Sequence, residues 1–126
     1  MHLPPAVIVH GLADARAALA PGLPVTLLSA PGAGAYAGVG WWRALVRAAG
    51  GTVDVLDCGD APGRALEALR GRQRLLVLRA PAAVFVDIAE RAARVDATLL
   101  AVPPPALDLG ARGAARQLEA WLAVAP

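Results

Sequence analysis

The segment Thr52-Val53-Asp54-Val55-Leu56-Asp57-Cys58-Gly59-Asp60-Ala61-Pro62-Gly63-Arg64-Ala65-Leu66-Glu67-Ala68-Leu69-Arg70-Gly71 decides the fold class. Its first six residues are rich in β-branched and apolar side chains, as a strand requires. Gly59 and Asp60 punctuate, and Pro62 suits the first turn of a helix. Ala65, Leu66 and Leu69 then recur at helical spacing until Gly71 closes the element. One β-strand followed by one α-helix is therefore written into twenty residues.

The same unit repeats outward in both directions. Further strands are expected at Ala6–His10, Pro24–Ser29, Arg74–Arg79 and Ala97–Val102. Helical stripes follow them, namely Trp41, Trp42, Leu45, Val46 and Ala49; Val84, Phe85, Ile88, Ala89 and Ala92; and Ala114, Ala115, Leu118, Trp121 and Leu122. A weaker helix is expected over Ala13–Leu19, ended by Pro21-Gly22. Strands separated by helices need crossover connections and pair in parallel. The predicted fold is a single α/β domain over residues 1–126, a three-layer α/β/α sandwich on a five-stranded parallel sheet. The flavodoxin-like strand order 2-1-3-4-5 is preferred, with the Rossmann-like order 3-2-1-4-5 as the alternative. The stretches Ala30–Gly40 and Pro103–Gly110 read as long loops.

Composition narrows the partners. With 57% hydrophobic and 17% charged residues, the chain has the makings of a packed core and exceeds the usual apolar share. That surplus predicts a homodimer, with Trp121 and the loop Pro103–Pro105 at its surface. The net charge of +2 is small, and the basic residues, all arginine, are scattered, so no nucleic-acid stripe is present. The uncharged run Ala17–Trp42 is interrupted by Pro21, Pro24, Pro31 and several glycines, which excludes a membrane-spanning helix. No basic segment precedes the first apolar run, and the lone Cys58 excludes an internal disulfide; a cytoplasmic protein is expected.

Ligands of open parallel sheets collect outside the strand carboxyl ends. Three clusters fall there. Ser29 opens a glycine-rich segment in which Gly32, Gly34 and Ala37 match a G-x-G-x-x-A pattern, with Tyr36 inside it. A phosphate or other small anion could approach its backbone. Pro31 and the later Gly38 and Gly40 depart from the dinucleotide fingerprint. Asp57 and Cys58 end the third strand, and Arg79 ends the fourth as a partner for Asp57 or for a ligand. Asp60 is expected to cap the following helix. His10 ends the first strand. In the flavodoxin-like order it faces Asp57 and Cys58; in the Rossmann-like order it neighbours Arg79. Catalytic candidates are therefore His10, Asp57 and Cys58, and ligand-binding candidates are Ser29, Gly32, Gly34, Tyr36, Asp57 and Arg79. No spacing of His, Cys or acidic residues suggests a metal site, and no cofactor is indicated.

The stretches Ser29–Arg43 and Asp57–Leu66 resemble a family of small proteins of GC-rich bacteria with a flavodoxin-like or Rossmann-like α/β fold. That resemblance implies the architecture and no assigned activity. Flavodoxins hold the FMN phosphate in a hydroxyl-rich loop after the first strand. Here the loop reads His10-Gly11-Leu12-Ala13, so the resemblance does not extend to FMN. The expected function is a ligand-binding or regulatory module with its site at the strand carboxyl ends. The alternatives are a small enzyme using His10 with Asp57 or Cys58, and a protein–protein interaction or structural protein.

Overall fold

The computed structural model describes residues 2–123. The elements follow in the order β1 (Ala6–Val9), α1 (Leu12–Leu19), β2 (Thr26–Ser29), α2 (Ala33–Tyr36), α3 (Gly38–Ala49), β3 (Val53–Asp57), α4 (Pro62–Arg70), β4 (Leu75–Val77), α5 (Ala82–Arg94), β5 (Thr98–Leu100), β6 (Ala106–Asp108) and α6 (Ala114–Leu122). All five predicted strands are present, each trimmed by one or more terminal residues. The α/β class and the parallel sheet are as expected.

The topology is different. Six strands, all parallel, lie in the order β5-β4-β3-β2-β1-β6, which is neither of the two expected orders. From β1 to β5 each crossover steps one strand in the same direction. Right-handed crossovers that never reverse direction leave all their helices on one face. The packing agrees. Ala15 and Ala18 of α1, Trp42, Leu45 and Val46 of α3, Ala65 and Ala68 of α4, Ile88 and Ala92 of α5, and Leu118 and Leu122 of α6 share one core. They pack there with Val7, Val9, Leu27, Leu56, Leu76 and Leu99 from the sheet. Alanine at so many sheet-facing positions lets short helices sit close to the strands, and the buried indole of Trp42 fills the space that remains.

The other face carries a smaller cluster of Leu28, Val55 and Val77, packed with Ile8, Leu75, Leu100 and Ala106 and covered by Leu3. No helical residue belongs to it, so the expected three-layer sandwich is replaced by two layers. The β5–β6 connection explains how the cluster is buried. Five spacings of a flat sheet would put the edge strands about 24 Å apart, at about 4.8 Å each. The six links from Leu100 to Ala106 span roughly 20–22 Å when fully extended, and they must also return to the start of a parallel strand. The sheet must therefore coil toward this face, and in doing so it buries Leu28, Val55 and Val77 without a second layer of helices.

Two stretches read as loops hold structure. Pro103–Gly110 contains β6, which pairs with β1 so that Ile8 faces Asp108. Ala30–Gly40 contains the short α2 and the start of α3. At the amino end of β3, Asp54 Oδ1 accepts hydrogen bonds from Trp42 Nε1 (2.9 Å), Arg43 Nη1 (2.9 Å) and Gln73 Nε2 (2.7 Å). Arg43 Nη2 reaches Oδ2 at 3.2 Å, and Nη1 also donates to Gln73 Oε1 at 2.7 Å. This network ties α3, β3 and the turn before β4 together. It also settles the pair of adjacent tryptophans, since Trp42 is wholly buried there and Trp41 is left partly exposed.

Candidate functional site

The carboxyl edge of the sheet carries two separate polar clusters. With β2 between β1 and β3, His10 meets neither Asp57 nor Cys58, and β4 and its Arg79 lie farther off still. Both expected pairings of His10 are thereby overturned, because each depended on a strand order the chain does not adopt. The neighbour of β1 on its other side is β6, and His10 Nε2 lies 2.6 Å from Asp108 Oδ1. A carboxylate only accepts, so Nε2 carries the proton and, in the neutral ring, Nδ1 keeps its lone pair. Each partner is 42% exposed at the side chain.

Local backbone geometry holds this pair. The His10 backbone N–H donates to Asp14 Oδ2 at 2.9 Å, and the Gly110 N–H donates to Asp108 Oδ1 at 2.8 Å. A Cβ on Gly110 would lie 2.7 Å from His10 Nε2, so the turn after β6 needs a glycine for the two side chains to meet. The hydrogen bond from His10 is the largest effect on the Asp108 carboxyl; burial opposes it, the Gly110 N–H and the charge of His10 add to it, and the group ends below its usual range.

The second cluster centres on Asp57, which is 2% exposed. Its Oδ1 accepts the backbone N–H groups of Gly59 (2.8 Å) and Gly32 (3.2 Å), and its Oδ2 lies 3.8 Å from Arg79 Nη1. The Asp57 N–H donates to Ser29 Oγ at 2.9 Å, whose hydroxyl donates to the Ala30 carbonyl at 3.2 Å. Ser29 thus joins the end of β2 to the end of β3. In the glycine-rich segment, Gly32 takes the left-handed conformation (φ 74°) and offers its amide to Asp57. Gly34 packs so tightly on the end of β3 that a Cβ would lie 2.9 Å from Cys58 Sγ. The chain's own carboxylate therefore engages an amide that an incoming anion would seek. Tyr36 points outward and is 73% exposed. Arg79 stays half exposed, with Asp57 on one side of its guanidinium.

Two further expectations change. Cys58 is buried, and burial, with Asp57 adding to it, pushes its thiol up to about 12. A thiol held so high supplies almost no thiolate at neutral pH, so Cys58 acts as a small core residue. Asp60 does not cap α4. The turn through Gly59 (φ 62°) leaves Asp60 exposed, Ala61 occupies the cap position, and no side chain bonds to it. Asp108 is not among the residues expected at the site, because it lies just beyond the triple proline in a stretch without an obvious strand pattern. The alternation Ala106-Leu107-Asp108-Leu109 was its only signal.

Among the described residues, no group of three or more His, Cys, Asp or Glu side chains could hold a metal ion, and no helix is long and apolar enough to cross a membrane. Comparison with protein-family models, with curated proteins and with solved structures gives no match. The resemblance to small bacterial proteins therefore gains no support from them.

Proposed function

We propose that the protein is a ligand-binding module whose site is the carboxyl edge of the sheet. The observation that carries this reading is the half-exposed guanidinium of Arg79, held beside the buried Asp57 carboxylate at a strand end. Asp57 fixes the two loops and lies 3.8 Å from Arg79 Nη1, while about half of the Arg79 side chain stays exposed. Five N–H donors in a planar fork suit a small carboxylate or phosphate. Tyr36 and the Gly32 turn border the same cluster. A binding role needs no reacting group, and this cluster contains no activated nucleophile.

A second reading is favoured by one specific observation, the 2.6 Å contact between His10 and Asp108. An imidazole oriented by a carboxylate through one nitrogen presents the other as a general base. In that reading the protein is a small enzyme, with His10 as base and Asp108, in place of the expected Asp57 or Cys58, as its partner.

A thermal-shift screen of phosphorylated metabolites, carboxylic acids and nucleotides tests both. A ligand at a hundredfold excess over its Kd raises stability by about 2.7 kcal/mol. The shift should vanish in Arg79→Ala under the first reading and in His10→Ala under the second. It should persist in Arg47→Ala, in the last turn of α3 and next to the opposite, amino edge of the sheet. A ligand whose shift survives both Arg79→Ala and His10→Ala would place the site elsewhere.

A further inference from the structure

The one-sided topology leaves the other face of the sheet without helices among the described residues. With α1, α3, α4, α5 and α6 packed on one face, no helical residue among those described joins the cluster on the other, which Leu3 covers; the segments 2–5 and 101–105 run beside it. Both are rich in proline, which stiffens the chain and cannot close a helical or ladder contact. Between them lies a groove of about 930 Å³, reaching from Leu23 and Pro24, before β2, to Leu100 at the end of β5 and Trp121 of α6. Clefts of roughly 300–1,000 Å³ are typical of small-molecule sites.

We propose that this groove binds an uncharged, largely apolar small molecule, of the class of a long-chain alcohol. Three observations support this occupant. First, among the described lining residues there is no Arg, Asp or Glu, and His2 is the only titratable side chain. An ionised ligand would leave water without a counter-charge among these residues to meet it, which is costly. Second, the walls are stiff. Five of the fourteen described lining residues are prolines, which lose almost no side-chain entropy when a ligand seats. The Trp121 indole is also held in place, since Nε1 donates to the Ala6 carbonyl at 2.7 Å. Its polar atom is satisfied and its ring is free to serve as an apolar wall. Third, the shape is wrong for a second copy. A two-fold contact sets the same surface against itself, and two concavities do not fill each other.

The test uses the whole chain and a neutral fluorescent probe, N-phenyl-1-naphthylamine. Its fluorescence should rise saturably with one site per chain. Decanol should displace it, and decanoate should do so at least tenfold less well. Val102 is 72% exposed and Leu23 is 38% exposed at the rim, so Val102→Asp and Leu23→Asp can be made without disturbing the core. Each should weaken probe binding tenfold or more. Val86→Asp, on the outer surface of α5, should leave it unchanged. The proposal is overturned if wild type shows no saturable site, if both rim variants bind normally, or if decanoate competes as well as decanol. It is also overturned if sedimentation shows a dimer that Val102→Asp dissolves, since a second copy would then occupy the groove.

Discussion

Asp57 offers the sharpest test of how the carboxyl edge is built. Its carboxylate accepts two backbone N–H groups, one of them fully buried, and touches Arg79. Asp57→Ala removes the acceptor and leaves those amides facing a void. Losing a partner costs a buried donor about 1–3 kcal/mol. The Gly59 amide incurs this in full and the half-buried Gly32 amide in part, so the expected loss is about 2–4 kcal/mol. With an unfolding entropy of about 2.1 cal/mol/K per residue, that corresponds to a fall in Tm of roughly 8–15 °C. Asp57→Asn keeps an oxygen for the two amides but turns an NH2 toward Arg79, so it should lose about half as much. Urea denaturation with matched thermal melts measures both. Two results would refute the reasoning. One is a loss below about 1 kcal/mol in Asp57→Ala, which would mean that the amides find other partners. The other is equal loss in both variants, which would make the Arg79 contact, and not the amide clamp, the source of stability.

Other perturbations follow from the same geometry. Asp54→Ala leaves Arg43, Gln73 and the Trp42 indole without their shared acceptor, and a loss of about 3–5 kcal/mol is expected in denaturant titration. Gly34→Ala drives a methyl against Cys58 Sγ and against backbone at 3.1 Å, costing about 1–3 kcal/mol. Cys58→Ala should restore only part of that, because the backbone contacts remain; complete rescue would show that the sulfur was the whole obstacle. For Asp108 the folded carboxyl titrates below its ordinary value of 3.8. Its contribution is therefore present above that value and lost as pH falls through the lower, folded one. Both partners are well exposed, so the effect is within the roughly 1 kcal/mol of a surface pair. Asp108→Asn should flatten acid unfolding below pH 4 by that amount, and an unchanged acid limb would count against the pairing. Gly110→Ala should separate His10 from Asp108, abolishing any activity that depends on His10 with little change in Tm.

The class of fold was legible in the sequence because each βα unit is a local pattern. Strand order was not, since it depends on where each helix packs. Nothing in Ala13–Leu19 announces that α1 lies on the same face as α5. The decisive information sits in a place where local reading fails. Ala101-Val102-Pro103-Pro104-Pro105 is too short to cross a flat sheet, yet it must deliver β6 to the far edge. A length test on that connection would have excluded an open sheet with β6 beside β5 carried on a helix, but only once β6 itself was recognised. Three residues behind three prolines give little reason to recognise it.

The candidate site follows the same division. The Asp57–Arg79 contact was foreseeable because Asp57 ends β3 and Arg79 follows β4 by two residues, and these strands are neighbours in sequence and directly paired in the sheet. The role of Asp57 toward Gly32 and Gly59 was not, since it requires the loops after β2 and β3 to fold over one carboxylate. His10 directly follows β1 instead of ending it, and its partner depended wholly on β6. One misplaced edge strand therefore changes the chemistry available to His10. Beside β3 it would have been a base facing a thiol. Beside β6 it is an imidazole held by Asp108, with its other nitrogen free, and Cys58 is left to pack in the core.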